Sequence, residues 1–436
     1  MNRREFLTTA GALATVARLE ADTADSGFLT QSPMRPGVFP PATRLHFPSV
    51  STETYLNSAS MHPIGIFASE AMKNVIDYRL YGNGEGRSDF GAAKQEELKK
   101  KFGALINAKP TEIAFTANTS DGENIVVMGL FSKLNGDPST RSTTGSAGSS
   151  NSLRAGNIVI DELHFTTSLY MYKELEKQGV ELRIVKHKNW AIEPEDMSKA
   201  IDKNTRLVSM ALVSNVNGFM HDAKAVSAIA HARGAHVFAD IIQAVGAVPI
   251  DVKALGIDFA ASGTYKWLMG ERGFGFLYVR EDLQGTVLPT TRYGHRQVSN
   301  FNRAQLTWEP MPGAARYETG GISTIMAAAV NAGIDYVNKC GLTNIRTHAK
   351  ELTDRLQKEL PPLGYKALTP MGTETPIVAF ELKDPAATTK MLQAGRVAAT
   401  VVVNENRTRL AVSVFNTHDD IDKAIAVLGG KFSSML

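Results

Sequence analysis

The 436-residue sequence has little of several features that would assign a protein to a class at once. It contains one cysteine, Cys340, so the chain can form no internal disulfide and holds no Cys-x-x-Cys zinc site. Its 47 basic and 44 acidic side chains leave a net charge of only +3, which gives no reason to expect binding to nucleic acid. The ten histidines show no metal-ligand spacing. What remains, 43% hydrophobic and 21% charged residues, is typical of a globular protein with more than one domain.

Near the N-terminus the apolar run is too short to span a bilayer, so we expect no stable membrane anchor there. The segment "MNRREFLTTAGALATVA" pairs Arg3 with Arg4, adds Phe6 and continues into small and apolar residues. This pattern predicts a twin-arginine signal peptide over residues 1–26 and a periplasmic or secreted protein. A basic tail without any targeting role is the alternative.

The rest of the chain divides by its pattern of apolar runs. Residues 27–60 are rich in Pro, Ser and Thr and predict an N-terminal arm. Residues 61–300 alternate buried-type strands such as "RLVSMALVSN" and "HVFAD" with helical segments, which predicts an α/β domain with a mostly parallel sheet. They include a Ser/Gly/Thr-rich insertion at 134–156. Residues 301–436 predict a smaller α+β C-terminal domain.

Polar residues follow three of the predicted strands directly. Asn215 ends "SMALVSN", Asp240 ends "HVFAD", and Lys266 follows "DFAAS" within the apolar, Gly-rich segment "FAASGTYKWLMGERGFGFLYV". Ligands of parallel α/β sheets bind at the carboxyl ends of the strands. The lysine either reaches water, or forms a structural ion pair with Asp240, or shares a pyridoxal phosphate site with it, because that cofactor needs a lysine and a carboxylate.

The segment "FADIIQAVGAVPIDVKALGIDFAASGTYKWLMGERGFGFLYV" resembles the core of class V aminotransferase-fold enzymes. This group includes cysteine desulfurases, isopenicillin N epimerase-like proteins and kynureninases. The resemblance extends from about Tyr55 to the C-terminus. It implies the fold type I of pyridoxal phosphate (PLP) dependent transferases, the cofactor pyridoxal 5'-phosphate, a small amino acid as substrate and a homodimer.

The resemblance also implies roles around the cofactor ring. Lys266 would bind the cofactor as a Schiff base and, with the substrate held as an external aldimine, abstract the α-proton. Asp240 would pair with the protonated ring nitrogen, and Gln243 would reach the ring hydroxyl with Asn215 nearby. Phe165 would stack on the ring.

For the cofactor phosphate, the stretch "FTANTSDGENIVVMGL" resembles the phosphate turn of the family, in which Thr119 and Ser120 begin a helix. The alternative for this stretch is an ordinary helix cap. Tyr265 would support the phosphate, and Ser262 is a further candidate ligand. The segment "ARYETGG" places Gly321 where the family has a threonine that contacts the partner subunit's phosphate, so this contact is in doubt.

On the substrate side, "TRLAVSVFNTHDDID" resembles the C-terminal motif whose arginine binds the substrate carboxylate, which implies this role for Arg409. Asn57, in "YLNSASMHP", is expected to line the site. His164 is the second choice, after Phe165, for the ring that stacks on the cofactor.

The segment "RVAATVVVNENRTR" before this arginine lacks the cysteine that desulfurases use, so we expect no persulfide on the enzyme. Transamination, epimerisation and β-elimination, including C–S lyase activity, stay open, and the sequence favours an aminotransferase-like enzyme. A non-catalytic binding protein on the same fold is the remaining alternative.

Overall fold

The computed structural model describes residues 39–131 and 156–431. The predicted signal at 1–26, the first part of the predicted arm and the Ser/Gly/Thr-rich insertion up to residue 155 lie outside these ranges. Within them, no helix combines the length and the apolar character needed to cross a membrane.

The regular elements follow the predicted alternation of strands and helices. The strands are β1 (Thr54–Tyr55), β2 (Ile113–Thr116), β3 (Asn157–Asp161), β4 (Glu181–Val185), β5 (Thr205–Ala211), β6 (His236–Asp240), β7 (Phe259–Gly263), β8 (Gly275–Val279), β9 (Val298–Asn302), β10 (Thr307–Pro310), β11 (Ile377–Glu381), β12 (Val397–Ala398), β13 (Thr400–Val402) and β14 (Arg407–Ala411). The α-helices are α1 (Ile66–Tyr81), α2 (Ala92–Leu105), α3 (Thr119–Phe131), α4 (Thr166–Glu176), α5 (Pro194–Ala200), α6 (Ala223–His231), α7 (Thr324–Cys340), α8 (Leu342–Glu359), α9 (Pro385–Ala394) and α10 (His418–Leu428).

In the described part of the chain, seven strands form the large sheet in the order β2-β8-β7-β6-β5-β3-β4. Only β8 runs antiparallel to its neighbours β2 and β7, and the remaining pairs are parallel. The predicted mostly parallel sheet is therefore confirmed. The strand order reverses between β3 and β5, and a crevice for ligands opens beside such a reversal, at the carboxyl ends of the strands.

Helices cover both faces of this sheet, which explains why its strands are apolar without alternation. Consecutive residues of β8 illustrate the arrangement. Phe276 packs in one apolar cluster, where its ring stacks on Phe102 of α2 with centroids 3.9 Å apart. Leu277 packs in the cluster on the other face, together with Val126 of α3.

A smaller sheet, β11-β14-β13, is antiparallel and belongs to the C-terminal part of the chain. Its core contains Leu352 of α8 and Ile421 of α10. The N-terminal segment also contributes, because Leu56 is buried in this core and β1 pairs with β12. Helix α7 instead packs on α1, where Phe67 and Tyr336 stack at 4.3 Å. The domain boundaries stay predictions.

Two helix ends carry residues that commonly begin or end helices. Asp222 caps α6, since its Oδ1 accepts a hydrogen bond from Ala225 N at 3.0 Å. Helix α7 ends at Cys340 because Gly341 takes a φ of +79°, which favours glycine. These residues fix where α6 begins and where α7 ends.

Candidate active site

A cavity of about 250 Å³ opens at the carboxyl ends of β5, β6 and β7. It is lined by Asn118, Thr119, Ser120, Phe165, Ala211, Val213, Asn215, Asp240, Ile242, Gln243, Tyr265, Lys266, Arg272 and Gly273. Eight residues named from the sequence as cofactor ligands therefore meet in one place, although they are spread over almost 150 positions of the chain.

Lys266 lies in this cavity with only 7% of its surface exposed. Among the residues that the structure describes, no carboxylate lies within 4 Å of its amine, so a direct ion pair with Asp240 is not formed. Burial is the main cause that lowers the pKa of Lys266 to about 8. The charge of Asp240 opposes this shift, and the charge of Arg409 adds to it. The amine is thus deprotonated more readily than an ordinary lysine and can act as a base or nucleophile.

Asp240 ends β6 and is 3% exposed. Its Oδ1 accepts a hydrogen bond from Ile242 N at 2.9 Å, and no other hydrogen bond to the carboxylate is formed within residues 39–131 and 156–431. Burial raises the pKa of Asp240 to about 6, although the hydrogen bond from Ile242 and the charge of Lys266 oppose the rise. A carboxylate this poorly satisfied gains from a cationic ligand in the cavity.

The turn before α3 forms another wall. Thr119 Oγ1 accepts a hydrogen bond from Gly263 N at 2.9 Å, which leaves the hydroxyl hydrogen free to donate into the cavity. Asn118 Oδ1 accepts from Asp121 N at 2.9 Å and fixes the start of the helix. Together with Ser120, these groups offer hydrogen-bond donors to an anion.

Two further lining residues are held by the surrounding structure. Gln243 Nε2 donates to Ala59 O at 2.9 Å, and its Oε1 accepts from Trp267 Nε1 at 3.0 Å, so this amide is fixed in orientation. Asn215 leaves its buried Oδ1 without a hydrogen-bond partner in the described ranges. Such an orphaned acceptor beside the cavity suits a ligand that brings a donor.

The two candidates for the ring that stacks on the cofactor, Phe165 and His164, differ in whether they line the cavity. Phe165 lines the cavity. His164 is 1% exposed and turns away, with its Nε2 3.0 Å from Ser209 Oγ. The structure does not bring Ser262 to the cavity wall, because this residue is buried in β7 and its Oγ donates to Gly263 O at 2.7 Å.

Arg409 and Asn57 lie behind the cavity wall. Arg409 donates to Asn215 O and to Ser60 Oγ, both at 2.6 Å, and its buried Nε has no partner within the described residues. Thr400 links the two predicted residues, since it donates to Asn57 Oδ1 at 2.6 Å and lies 3.2 Å from Arg409 Nη2. Burial lowers the pKa of Arg409 to about 10, and the charge of Arg407 lowers it further.

Sequence reasoning missed Arg272, which lines the cavity from the turn "GERGFG". Its signal was a cation placed among glycines shortly after Lys266. Gly321, at the expected position of the partner-contacting threonine, lines a neighbouring cavity with Arg292 and Phe274.

A buried polar network behind the cavity was also missed. Glu123 of α3 accepts hydrogen bonds from Ser168 Oγ at 2.6 Å, Tyr172 Oη at 2.8 Å and Ser209 Oγ at 3.4 Å. Burial raises the pKa of Glu123 to about 7, although these hydrogen bonds oppose the rise, and the charge of Asp240 adds to it. The only sequence signal was a glutamate on the apolar face of a helix.

Comparisons with known proteins agree with this geometry. The family model "Aminotransferase class-V" matches residues 68–422. The chain is 30% identical to a probable cysteine desulfurase of Methanothermobacter thermautotrophicus over 319 residues, which cover 72% of this chain and 74% of the relative. It is also 30% identical to a kynureninase of Pseudomonas fluorescens over 306 residues, 68% of each chain.

A solved structure shares the fold. The apo cysteine desulfurase of Thermococcus onnurineus NA1 superimposes with a TM-score of 0.77 at 22% identity, covering 93% of this chain and 100% of that one. With the family model matched over most of the sequence, the chain belongs to the class V aminotransferase family.

Proposed function

We propose that the protein is a pyridoxal phosphate enzyme that removes the α-proton of a small amino acid and then eliminates a group from the neighbouring carbon. The observation that carries this proposal is the buried Lys266 amine, which has no carboxylate within 4 Å in the described chain and a pKa lowered to about 8. A structural lysine at this depth would need a direct partner.

Pyridoxal 5'-phosphate is the cofactor, and the residues of the cavity fit it. The amine of Lys266, the under-satisfied carboxylate of Asp240 and the orphaned Oδ1 of Asn215 form a donor and acceptor set for a cationic aromatic ring. Thr119 and Ser120 line the same cavity, and their hydroxyls can donate hydrogen bonds to the phosphate. When bound, the cofactor supplies an aldehyde for amines and an electron-withdrawing ring.

Each of four residues of the chain has its own role in the proposed reaction. Asp240, with its carboxylate at the end of β6, would hold the ring nitrogen of the cofactor in its protonated form. Phe165 would pack on the ring and exclude water. Lys266 Nζ accepts the α-proton, because its lowered pKa leaves a usable fraction of neutral amine near neutral pH. Arg409, which lies behind the wall at Asn215, would bind the substrate carboxylate, the role that the family resemblance implies.

Elimination balances in atoms and electrons without a further reagent except water. The α-proton moves to Lys266 Nζ, the Cα–H electron pair forms the Cα–Cβ double bond, and the Cβ substituent leaves with its bonding pair. The released enamine hydrolyses to a 2-oxo acid and ammonia. Support for this outcome comes from the similarity to a probable cysteine desulfurase and to a kynureninase.

The chain's cysteine does not suit the persulfide route of desulfurases. Cys340 is 1% exposed at the end of α7, and burial raises its pKa to about 12. A thiol in this state is a poor nucleophile. A C–S lyase that releases its sulfur product to solution is therefore favoured over transfer to an enzyme cysteine.

The test is a panel of amino acids with a leaving group on Cβ, such as cysteine and β-chloroalanine, assayed for 2-oxo acid, ammonia and the released group. We expect these products to form without an added acceptor. A 2-oxo acid that appears only when a second 2-oxo acid is supplied would instead establish transamination, which the sequence favours. The D-enantiomer as sole product would establish epimerisation.

We further propose a homodimer, in line with the family resemblance. The hairpin β9–β10 supports it, because Phe301, Leu306 and Trp308 expose 55%, 68% and 54% of their surfaces there. Light scattering of the cofactor-loaded protein should give the mass of two chains, and a monomer at micromolar concentration would exclude the dimer.

We also propose export through the twin-arginine route. Replacing both Arg3 and Arg4 by lysine should retain the precursor inside the cell, because the export receptor reads the arginine pair. Periplasmic yield equal to that of the wild type would show that the N-terminus is not such a signal.

A further inference from the structure

Arg272 lies in the turn between β7 and β8 and lines the cavity beside Asn118, Thr119 and Ser120. We propose that Arg272 binds the 5'-phosphate of the cofactor and supplies the positive charge of that subsite. This inference rests on the proposed function, since it takes pyridoxal phosphate as the occupant of the cavity, and it assigns a role that the sequence alone did not suggest.

The turn that carries Arg272 is fixed by the surrounding structure. Thr264 Oγ1 is 2.6 Å from Glu271 O and 3.2 Å from Phe274 O, so one hydroxyl holds both ends of the turn. Gly273 takes a φ of +85°, which turns the chain directly after the arginine. The base of the side chain is thus held in place before any ligand binds.

Strand pairing places this turn beside the start of α3. Gly275 at the start of β8 pairs with Thr116 at the end of β2. The approach is close, because a Cβ on Gly275 would lie 3.1 Å from the Cα of Asn118. Arg272, three positions before Gly275, and Thr119, three positions after Thr116, therefore emerge side by side at the same end of the cavity.

Within residues 39–131 and 156–431, the guanidinium of Arg272 forms no ion pair and no side-chain hydrogen bond. No carboxylate of the described chain lies within 4 Å of it, and its contact is with the ring of Tyr265, 5.5 Å from guanidinium carbon to ring centroid. Arg292 offers a contrast, since it lines the adjoining cavities but is paired with Asp121. Arg272 keeps its donors available for an anion in the cavity.

The chemistry of the neighbouring groups favours a phosphate at this end. Thr119 has its hydroxyl hydrogen free, and Ser120 forms no side-chain hydrogen bond within the described ranges. These neutral donors can bind phosphate oxygens but cannot balance their charge. A planar guanidinium with several N–H donors does both, because it can bind two phosphate oxygens at once.

Arg272 occupies a different place from the two other cations near the cavity, Lys266 and Arg409. Lys266 lies against the same Tyr265 ring, with its amine 5.7 Å from the centroid, and is buried next to Asp240. Arg409 lies behind Asn215, to whose carbonyl oxygen it donates, and does not line the cavity. Arg272 is exposed and lines the cavity at the end formed by Asn118, Thr119 and Ser120.

The experiment compares pyridoxal phosphate with pyridoxal, which lacks the phosphate, in equilibrium titrations followed by absorbance. The proteins are the wild type, Arg272→Gln, Arg272→Lys and the control Arg79→Gln, an exposed arginine of α1 away from the cavity. We expect Arg272→Gln to weaken pyridoxal phosphate binding roughly tenfold or more. Pyridoxal binding should not change, Arg272→Lys should lose less, and Arg79→Gln should match the wild type.

Ionic strength gives a second readout. Raising the salt concentration should weaken pyridoxal phosphate binding more in the wild type than in Arg272→Gln, because salt screens an exposed ion pair. Unchanged pyridoxal phosphate affinity in Arg272→Gln would overturn the inference. This holds also if the variant raises the KM of acidic amino acids, because Arg272 would then act on the substrate and not on the phosphate. An equal loss for both ligands would also overturn it. A wild type that binds neither ligand would refute the proposed function itself, whereas binding without a phosphate preference refutes only the role of Arg272.

Discussion

Two buried aspartates lie at opposite ends of neighbouring strands and differ in almost every other respect. Asp258 precedes β7 at the end of the sheet away from the cavity, and its carboxylate accepts hydrogen bonds from Val237 N at 2.8 Å and His231 Nε2 at 2.9 Å and pairs with Arg280. Burial raises the pKa of Asp258, but hydrogen bonds from its histidine partners and Val237 outweigh burial and hold the pKa below its ordinary value. Asp240 at the cavity accepts a single hydrogen bond from the described part of the chain, and its pKa is raised to about 6.

This difference separates a structural charge from a functional one. Every strong interaction of Asp258 is satisfied by the chain itself, so this carboxylate contributes to stability and offers nothing to a ligand. Asp240, Lys266 and Arg409 keep unused hydrogen-bonding capacity and shifted pKa values. Clusters of buried groups with shifted pKa values and unused hydrogen-bonding capacity mark functional sites. Burying such groups is unfavourable in the free protein, and a bound ligand can offset this cost.

The largest expected effect is at Lys266. Lys266→Ala should lower the rate of α-proton removal at least about 10³-fold, since the base is lost. Folding should change little, because no direct ion pair is broken. Activity assays and urea unfolding measure the two quantities, with the exposed Lys253→Ala as a control that changes neither. A badly unstable Lys266→Ala protein that never bound the cofactor would return Lys266 to a structural role.

The two aspartates themselves provide a matched pair of substitutions. Asp258→Asn should cost about 3 kcal/mol of unfolding free energy, because it leaves Arg280 and the histidines without their anion. Asp240→Asn should change the stability of the cofactor-free protein by less than about 1 kcal/mol and should lower activity, though by less than Lys266→Ala does. Denaturant unfolding of both variants checks this, and equal destabilisation would contradict the distinction drawn here.

Glu123 is a further buried carboxylate, and we expect it to make the unfolding free energy depend on pH. Its pKa is raised from 4.5 to about 7 in the folded protein, so its contribution to stability is fully present below about pH 4.5 and is lost as pH rises through 7. The loss amounts to on the order of 3 kcal/mol, because one pKa unit corresponds to about 1.4 kcal/mol. Glu123→Gln should flatten the decline of unfolding free energy between pH 5 and 8 in the cofactor-free protein. An unchanged slope would show that Glu123 does not titrate in this range.

The smallest effect is expected at Arg409. Arg409→Lys keeps the charge but loses bidentate binding, so KM for the amino acid should rise about tenfold with a smaller change in kcat. Arg407→Lys is the matched control on the same strand, since Arg407 donates to Val216 O and pairs with Glu405 outside the cavity lining. An equal rise of KM in both variants would argue against a substrate role for Arg409.

The sequence by itself determined the fold class and the reactive pair. Continuous apolar runs such as that of β5 are stable only when both faces of a sheet are covered, and this condition predicts a parallel α/β sheet before any coordinates are known. A lysine and an aspartate at the ends of such runs must meet at one edge of the sheet. The helix ends at Asp222 and Gly341 also depend on local chemistry alone.

Only the tertiary structure decided which groups touch. Three findings depend on strand register and side-chain packing. Among the residues that the structure describes, Lys266 has no carboxylate within 4 Å, Ser262 donates to its own backbone neighbour, and Arg272 emerges beside Thr119. These distances join residues far apart in the chain, and small shifts of register would alter them without changing the hydrophobic pattern. For this reason the chemistry could be anticipated from residue types, whereas the phosphate-binding arginine and the Glu123 network required the packed structure.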